Sequence, residues 1–151
     1  MRLATAIATV GGLGRVSVAP GTWGSLVGLG LGLLGARMSP WLLSPIVLGG
    51  LFVGCVGICS RAEEQLAVHD PPAVILDEVW GMGAVMMLLP WAAQSVPLVL
   101  VAFLLFRMFD IAKPPPLKRL AELPAGLGIM ADDLGAAAYT MLVLWVVSRL
   151  T

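Results

Sequence analysis

Five long apolar runs, Thr22 to Ala36, Trp41 to Cys59, Val79 to Trp91, Val96 to Phe109 and Leu134 to Leu150, leave this chain few ways to fold. Hydrophobic residues make up 59% of its 151 positions, with a mean hydropathy of +0.97, more than the core of one soluble domain absorbs. Crossing a bilayer takes roughly 20 helical residues, with about 17 as the lower end. By count the second run and the last reach that length, so the others must recruit flanking residues, thin the bilayer or stop part-way. The expectation is an all-α, polytopic helical membrane protein, one domain over residues 1–151, with about five membrane segments, some short or re-entrant. Met1 to Gly14 lacks the apolar core and cleavage site of a signal peptide, so the N-terminus is expected to be retained.

Charge is sparse and placed unevenly. The net charge is zero, and the few basic residues do not cluster into a groove for a phosphate backbone, which argues against nucleic acid. With a cytoplasmic N-terminus and five crossings, Arg2, Arg15, Arg61, Arg107, Lys113, Lys118 and Arg119 fall inside, leaving Arg37 and Arg149 outside, as the positive-inside tendency requires. Every acidic residue lies between Glu63 and Asp133, and the same topology puts all of them on the inner side. Cys55 and Cys59 stand four apart in one apolar run, where a disulfide is not expected and burial as small hydrophobes is.

The connectors carry the readable chemistry. Gly11, Gly12, Gly14, Pro20 and Gly21 exclude an uninterrupted helix before Thr22, which reads as an N-cap with Ser25 in the first turn. A second connector, Ser60 to Leu76, holds Arg61, Glu63, Glu64, His69, Asp70 and Pro71-Pro72. A third runs from Arg107 past Pro114-Pro115-Pro116, which must end a helix at or just before Lys113, to Gly126-Leu127-Gly128.

Asp77-Glu78 and Asp132-Asp133 each stand immediately before an apolar run. The helix dipole favours carboxylates in a first turn by about 0.3–1 kcal/mol, which accounts for one acid per helix better than for two. Carboxylates crowded at a water–lipid boundary repel one another and resist desolvation, so the pairs read as ligands of a divalent cation. An all-oxygen set with a single His in the chain points to Mg²⁺ or Mn²⁺ rather than zinc. Arg107, Asp110 and Lys113 recur every three residues: a salt-bridged helix end on the plain reading, a further ligand or base at Asp110 and phosphate contacts at the cations on the functional one. Ala19 to Leu26 offers a helix N-terminus with small residues, suited to an anion or to ordinary capping. His69 has the chemistry of a proton donor, and Asp70 that of a further ligand. The Cys-x5-Arg spacing of Cys55 and Arg61 resembles a thiol phosphatase loop, but a cysteine inside an apolar helix has neither exposed amides nor an accessible thiolate.

Four motifs in series, Ala19-Pro20-Gly21-Thr22-Trp23-Gly24-Ser25-Leu26, Asp77-Glu78-Val79-Trp80-Gly81-Met82, Phe106 to Pro116, and Gly126 to Asp133, closely resemble the bacterial phosphatidylglycerophosphatase A family over nearly the whole chain. The resemblance implies a Mg²⁺-dependent phosphatase, with Mn²⁺ as the alternative ion, releasing the terminal phosphate of phosphatidylglycerophosphate at the cytoplasmic face of the inner membrane. By matching position it implies Asp77, Glu78, Asp110, Asp132 and Asp133 as the acidic site with Asp70 as a further ligand, and Lys113, Arg107, Thr22 and Ser25 near the phosphate. Water is the implied nucleophile, with a carboxylate as second choice. Val16-Ser17, where proline is common, and Ala137, where glycine is usual, depart from the pattern without removing a ligand. No protein partner is expected. Two alternatives stay open: a small cation transporter or channel component, which predicts acids inside the apolar runs and on both membrane faces, and a phosphatase for another lipid phosphate such as phosphatidic acid.

Overall fold

The computed structural model describes residues 2–38 and 45–150, so the first four residues of the second apolar run lie outside the described residues. The described chain is all helical: α1 (Leu3–Ala8), α2 (Pro20–Gly35), α3 (Pro45–Leu66), α4 (Leu76–Leu88), α5 (Val96–Ala112), α6 (Leu117–Ala121) and α7 (Gly126–Leu150), with 3₁₀ turns at Val10–Arg15 and Ala92–Gln94. Each apolar run therefore becomes one long helix. Among the described residues, only α3 and α7 are long and apolar enough to cross a membrane, at 22 and 25 residues. At about 1.5 Å per residue the 13 residues of α4 reach only about 20 Å, well short of a hydrocarbon core of about 30 Å.

Helix ends depart from the sequence reading in three places. Pro20, preorganised for a first helical position, opens α2, so Thr22 is the third residue of the helix and not its cap. Backbone hydrogen bonding carries α3 past Cys59 to Leu66, which puts Arg61, Glu63 and Glu64 on its last two turns. The last helix starts at Gly126, not after Asp132-Asp133, so that pair lies in its second turn, beyond the reach of the terminal dipole.

α7 is the hub, packing against α3, α4, α5 and α6, while α2 lies along α4 in the same direction. The α2–α4 seam is made by close approach of backbones. A Cβ on Gly28 would stand 2.5 Å from the Val79 carbonyl oxygen, and one on Gly32 would stand 2.8 Å from that of Gly83. Small residues at such a spacing let helices pack where apolar burial alone gives no driving force. Met82, Met86, Phe106, Ala136 and Leu144 fill the core between α4, α5 and α7, and Ala8, Cys59, Ala62, Ile129 and Met130 fill a second one under α1 and α3. The outside is apolar too, with Ile46, Val53, Val96 and Leu104 each at least 65% exposed. α2, α4 and α7 begin at the end of the bundle where α3 and α5 finish, and the carboxylates gather there.

Candidate active site

The acids come from three helices. Asp77 and Glu78 occupy the first turn of α4, Asp110 the last turn of α5, and Asp132 and Asp133 the second turn of α7. Phe106 lies against Gly81 and the Asp133 carbonyl faces the same glycine, which brings α4, α5 and α7 together just beneath the acids. Two groups of three carboxylates result, Asp77 with Glu78 and Asp133, and Asp110 with Asp132 and Asp133; within each, the oxygens lie within 4.8 Å of one another. Asp133, only 1% exposed, belongs to both.

Two cations border this volume. The Arg107 guanidinium pairs with Asp110, lies 3.7 Å from Glu78 Oε1 and donates to Ser25 Oγ at 3.4 Å. Ser25 is fully buried and donates to the Gly21 carbonyl at 2.9 Å, which fixes the acceptor that Arg107 uses. Lys113 caps α5 in a left-handed conformation (φ 43°, ψ 60°) and pairs with Asp132. Burial works against its charge, but the hydrogen bond and charge of Asp132 outweigh this and hold the Lys113 ammonium above its usual range. The lysine side of the pair is therefore fully charged below the ordinary lysine pKa and loses its proton only as pH rises through the higher folded value.

The fit to a cation rests on what these residues lack. Asp77 Oδ1, Glu78 Oε2, Asp132 Oδ1 and Asp133 Oδ2 are buried with no hydrogen-bond donor among the described residues. A buried acceptor left unmatched costs about 1–3 kcal/mol, more for a charged group. Five carboxylates against Arg107 and Lys113 leave a formal excess of negative charge in a largely buried site. A hard dication answers both deficits, and the all-oxygen donor set suits Mg²⁺ or Mn²⁺.

Two of the sequence candidates lie outside the carboxylate groups. Asp70 sits exposed in a left-handed turn, its N–H directed to Glu63 Oε1 at 3.3 Å; it belongs to neither group, but its charge reaches Lys113 and Asp132 at the rim of the site. Thr22 is half-buried without a side-chain hydrogen bond among the described residues, and its N–H is taken by the Ala19 carbonyl, so this turn is less open to an anion than the sequence suggested. The small residue before it serves another purpose: a Cβ on Gly21 would stand 2.2 Å from Glu78 Oε1 and 3.0 Å from the Arg107 guanidinium. Gly21 thus lets the Arg107–Glu78 contact form against α2, a role whose sequence signal is the Pro-Gly-Thr stretch. His69 Nδ1 lies 2.5 Å from Glu63 Oε1 on the exposed surface. Cys55 is half-buried and Cys59 fully buried in mid-helix, both as free thiols. Cys55→Ser is expected to leave turnover within about twofold of wild type in a phosphate-release assay, since its backbone amides are committed to the helix.

Buried carboxylates converge on a small volume with one lysine and one arginine at the end of an apolar helical bundle, an arrangement suited to a divalent cation and a phosphate group. A family model described as phosphatidylglycerophosphatase A matches residues 6–148. The chain belongs to that family. It is 37% identical over 138 residues to phosphatidylglycerophosphatase A of Haemophilus influenzae (90% of this chain, 83% of the relative) and 32% identical over 140 residues to that of Escherichia coli (91% and 79%). A Bacteroides thetaiotaomicron protein named "Putative phosphatidylinositol-3-phosphatase" is 29% identical over 150 residues, 93% of each chain. No solved structure matches the chain.

Proposed function

We propose that this enzyme hydrolyses phosphatidylglycerophosphate to phosphatidylglycerol and inorganic phosphate, with Mg²⁺, or Mn²⁺ in its place, held by Asp77, Glu78, Asp110, Asp132 and Asp133. The observation that carries this reading is the set of four buried carboxylate oxygens without donors, gathered around the shared Asp133. Family membership supplies the headgroup. A dication in such a site neutralises phosphate oxygens and lets water act as a nucleophile near neutral pH.

The chain's own residues do the positioning. Arg107 ties α2 to α4 and α5 through Ser25, Glu78 and Asp110, which holds carboxylates from two helices at fixed separation. Lys113, at the half-exposed mouth, presents an ammonium for the departing phosphate and balances Asp132 until substrate arrives. Phosphoryl transfer demands mainly placement and charge compensation, and this site is built from both. Lys113→Gln is expected to lower kcat/KM roughly 100-fold, with Lys113→Arg recovering part of it; equal losses in the two would place Lys113 in packing alone.

The reading extends to membrane placement. Alternating helix directions are consistent with α2, α3, α4, α5 and α7 as five membrane segments, the three shorter ones shielded by the bundle or reaching only part-way. The site end then carries Arg15, Arg61, Arg107, Lys113, Lys118 and Arg119, against Arg37 and Arg149 at the other, so the site faces the cytoplasm across the inner membrane. Carboxylates at one end only favour an enzyme at headgroup depth over a cation pathway through the bilayer. Phosphate release by purified protein from phosphatidylglycerophosphate, phosphatidic acid and phosphatidylinositol-3-phosphate tests the headgroup. A kcat/KM at least about tenfold higher on the first is expected. An equal or higher value on either of the others contradicts it.

A further inference from the structure

Nothing in the acidic site accounts for how the apolar body of a lipid substrate is held. One groove stands out for its position. It lies between α3 and α4 with its floor on α7, has a volume of about 240 Å³, and is walled by Leu48, Gly49, Phe52, Trp80, Leu88 and Leu134, all apolar or glycine. Two of these residues are covalently close to the site: Trp80 is one helical turn beyond Asp77 on α4, and Leu134 follows Asp133 on α7. The groove therefore starts beneath the carboxylates and runs about 12 Å along α4, the rise from Trp80 to Leu88.

Its walls are fixed. The Phe52 and Trp80 rings meet edge to face with centroids 5.0 Å apart, and Trp80 Nε1 donates to the Leu48 carbonyl at 3.3 Å. That bond spends the indole's only donor on the groove wall and leaves the ring's apolar surface for whatever lies beside it. α3 and α4 touch little compared with α3 and α7, so the cleft stays open on its outer side. Two further grooves differ. One, beside Leu33, Arg37 and Gln94, lies at the far end of the bundle from the acids; the other, between α1 and α3, has Arg61 and Gln65 among its walls.

We infer that the groove between α3 and α4 receives an acyl chain of the lipid substrate and holds the phosphate above it at the carboxylates, with Trp80, Phe52 and Leu134 as positioning residues. This rests on the reading of the enzyme as a lipid phosphatase. A chain moving from bilayer to groove leaves one apolar medium for another, so the groove contributes orientation and packing more than transfer energy. Its loss acts on binding of long-chain substrate and spares the chemistry.

Gly49 supplies the test. A Cβ there meets nothing within 4 Å, so Gly49→Phe fills the groove without displacing backbone, and Gly50→Leu, equally open and outside the groove, is the control. Kinetics are measured on dipalmitoyl and dihexanoyl phosphatidylglycerophosphate. With the groove filled, KM for the dipalmitoyl form is expected to rise roughly tenfold at unchanged kcat, while the dihexanoyl form and the Gly50→Leu control stay at wild-type values. A dipalmitoyl substrate with a diazirine in mid-chain is expected to label the Leu48–Phe52 stretch or Trp80 in wild type, with labelling competed by unlabelled substrate and lost in Gly49→Phe. Unchanged KM in Gly49→Phe, equal losses on both substrates, or competed labelling confined to the other two grooves overturns the assignment. Wild-type protein inactive on both substrates instead defeats the underlying reading of the enzyme, a separate result.

Discussion

Asp133→Asn is expected to lower kcat by about 10³-fold or more while the protein stays folded. Asp133 is the one carboxylate common to both acidic groups, so its change removes a charged ligand from each at once. The amide offers one acceptor oxygen where the carboxylate offered two, and no charge. Stability should move the other way from activity. In chelator, Asp133 faces like charges at short range in a buried site, and neutralising it relieves that repulsion. The melting temperature of metal-free Asp133→Asn is therefore expected at or above that of metal-free wild type. A purely structural Asp133 gives the opposite pattern, with activity and melting temperature falling together. The outer acids bracket the result: Asp77→Asn and Asp132→Asn each disturb one group and should also stop turnover, by the same loss of buried negative charge.

Gly28→Leu is expected to damage the fold itself. The new Cβ would stand 2.5 Å from the Val79 carbonyl oxygen, 2.9 Å from its Cα and 3.0 Å from the Glu78 carbonyl. All three are backbone atoms that cannot swing aside, so α2 must lift off α4. Overpacking of this kind costs about 1–3 kcal/mol where side chains can adjust, and more where they cannot. For a chain of this size, a loss of that order lowers the melting temperature by roughly 5 °C or more. Lifting α2 also withdraws Ser25 and Gly21 from Arg107 and Glu78, so activity should fall even in protein that remains folded. Gly30→Leu, whose Cβ meets nothing within 4 Å, is expected to change neither property.

These two sites mark what could be read in the sequence and what could not. The five apolar runs became the five long helices because a run of that length with few polar atoms satisfies its backbone only by coiling. Helix ends were less legible, since apolar counting stops at the first charge while backbone hydrogen bonding does not. Hence α3 continues through Arg61 and Glu63, and α7 begins six residues before Asp132. The acidic pairs could be recognised as clusters, but their division into two groups sharing Asp133 depends on how α4, α5 and α7 cross. Asp70 illustrates the limit: it precedes Asp77 closely in sequence, yet a left-handed turn leaves it exposed at the rim, near Lys113 and Asp132 and outside both carboxylate groups. Glycine breaks helices in the connectors but seats them against one another inside the apolar runs. The four-residue spacing of Gly24, Gly28 and Gly32, which seats α2 on α4, was present in the chain and carried the packing. The sequence pairs Arg107 with Asp110 or with the phosphate; its reach to Ser25 and Glu78 comes from three helices meeting.

The convergence of five carboxylates on a hard dication is most directly tested by titrating purified protein with Mn²⁺, following the free ion by electron paramagnetic resonance and phosphate release from phosphatidylglycerophosphate in the same samples. Saturable binding that Mg²⁺ displaces, that rises in step with turnover and that is lost in Asp133→Asn is the expected result. Full phosphate release after exhaustive chelation, or undiminished Mn²⁺ binding in Asp133→Asn, would contradict it.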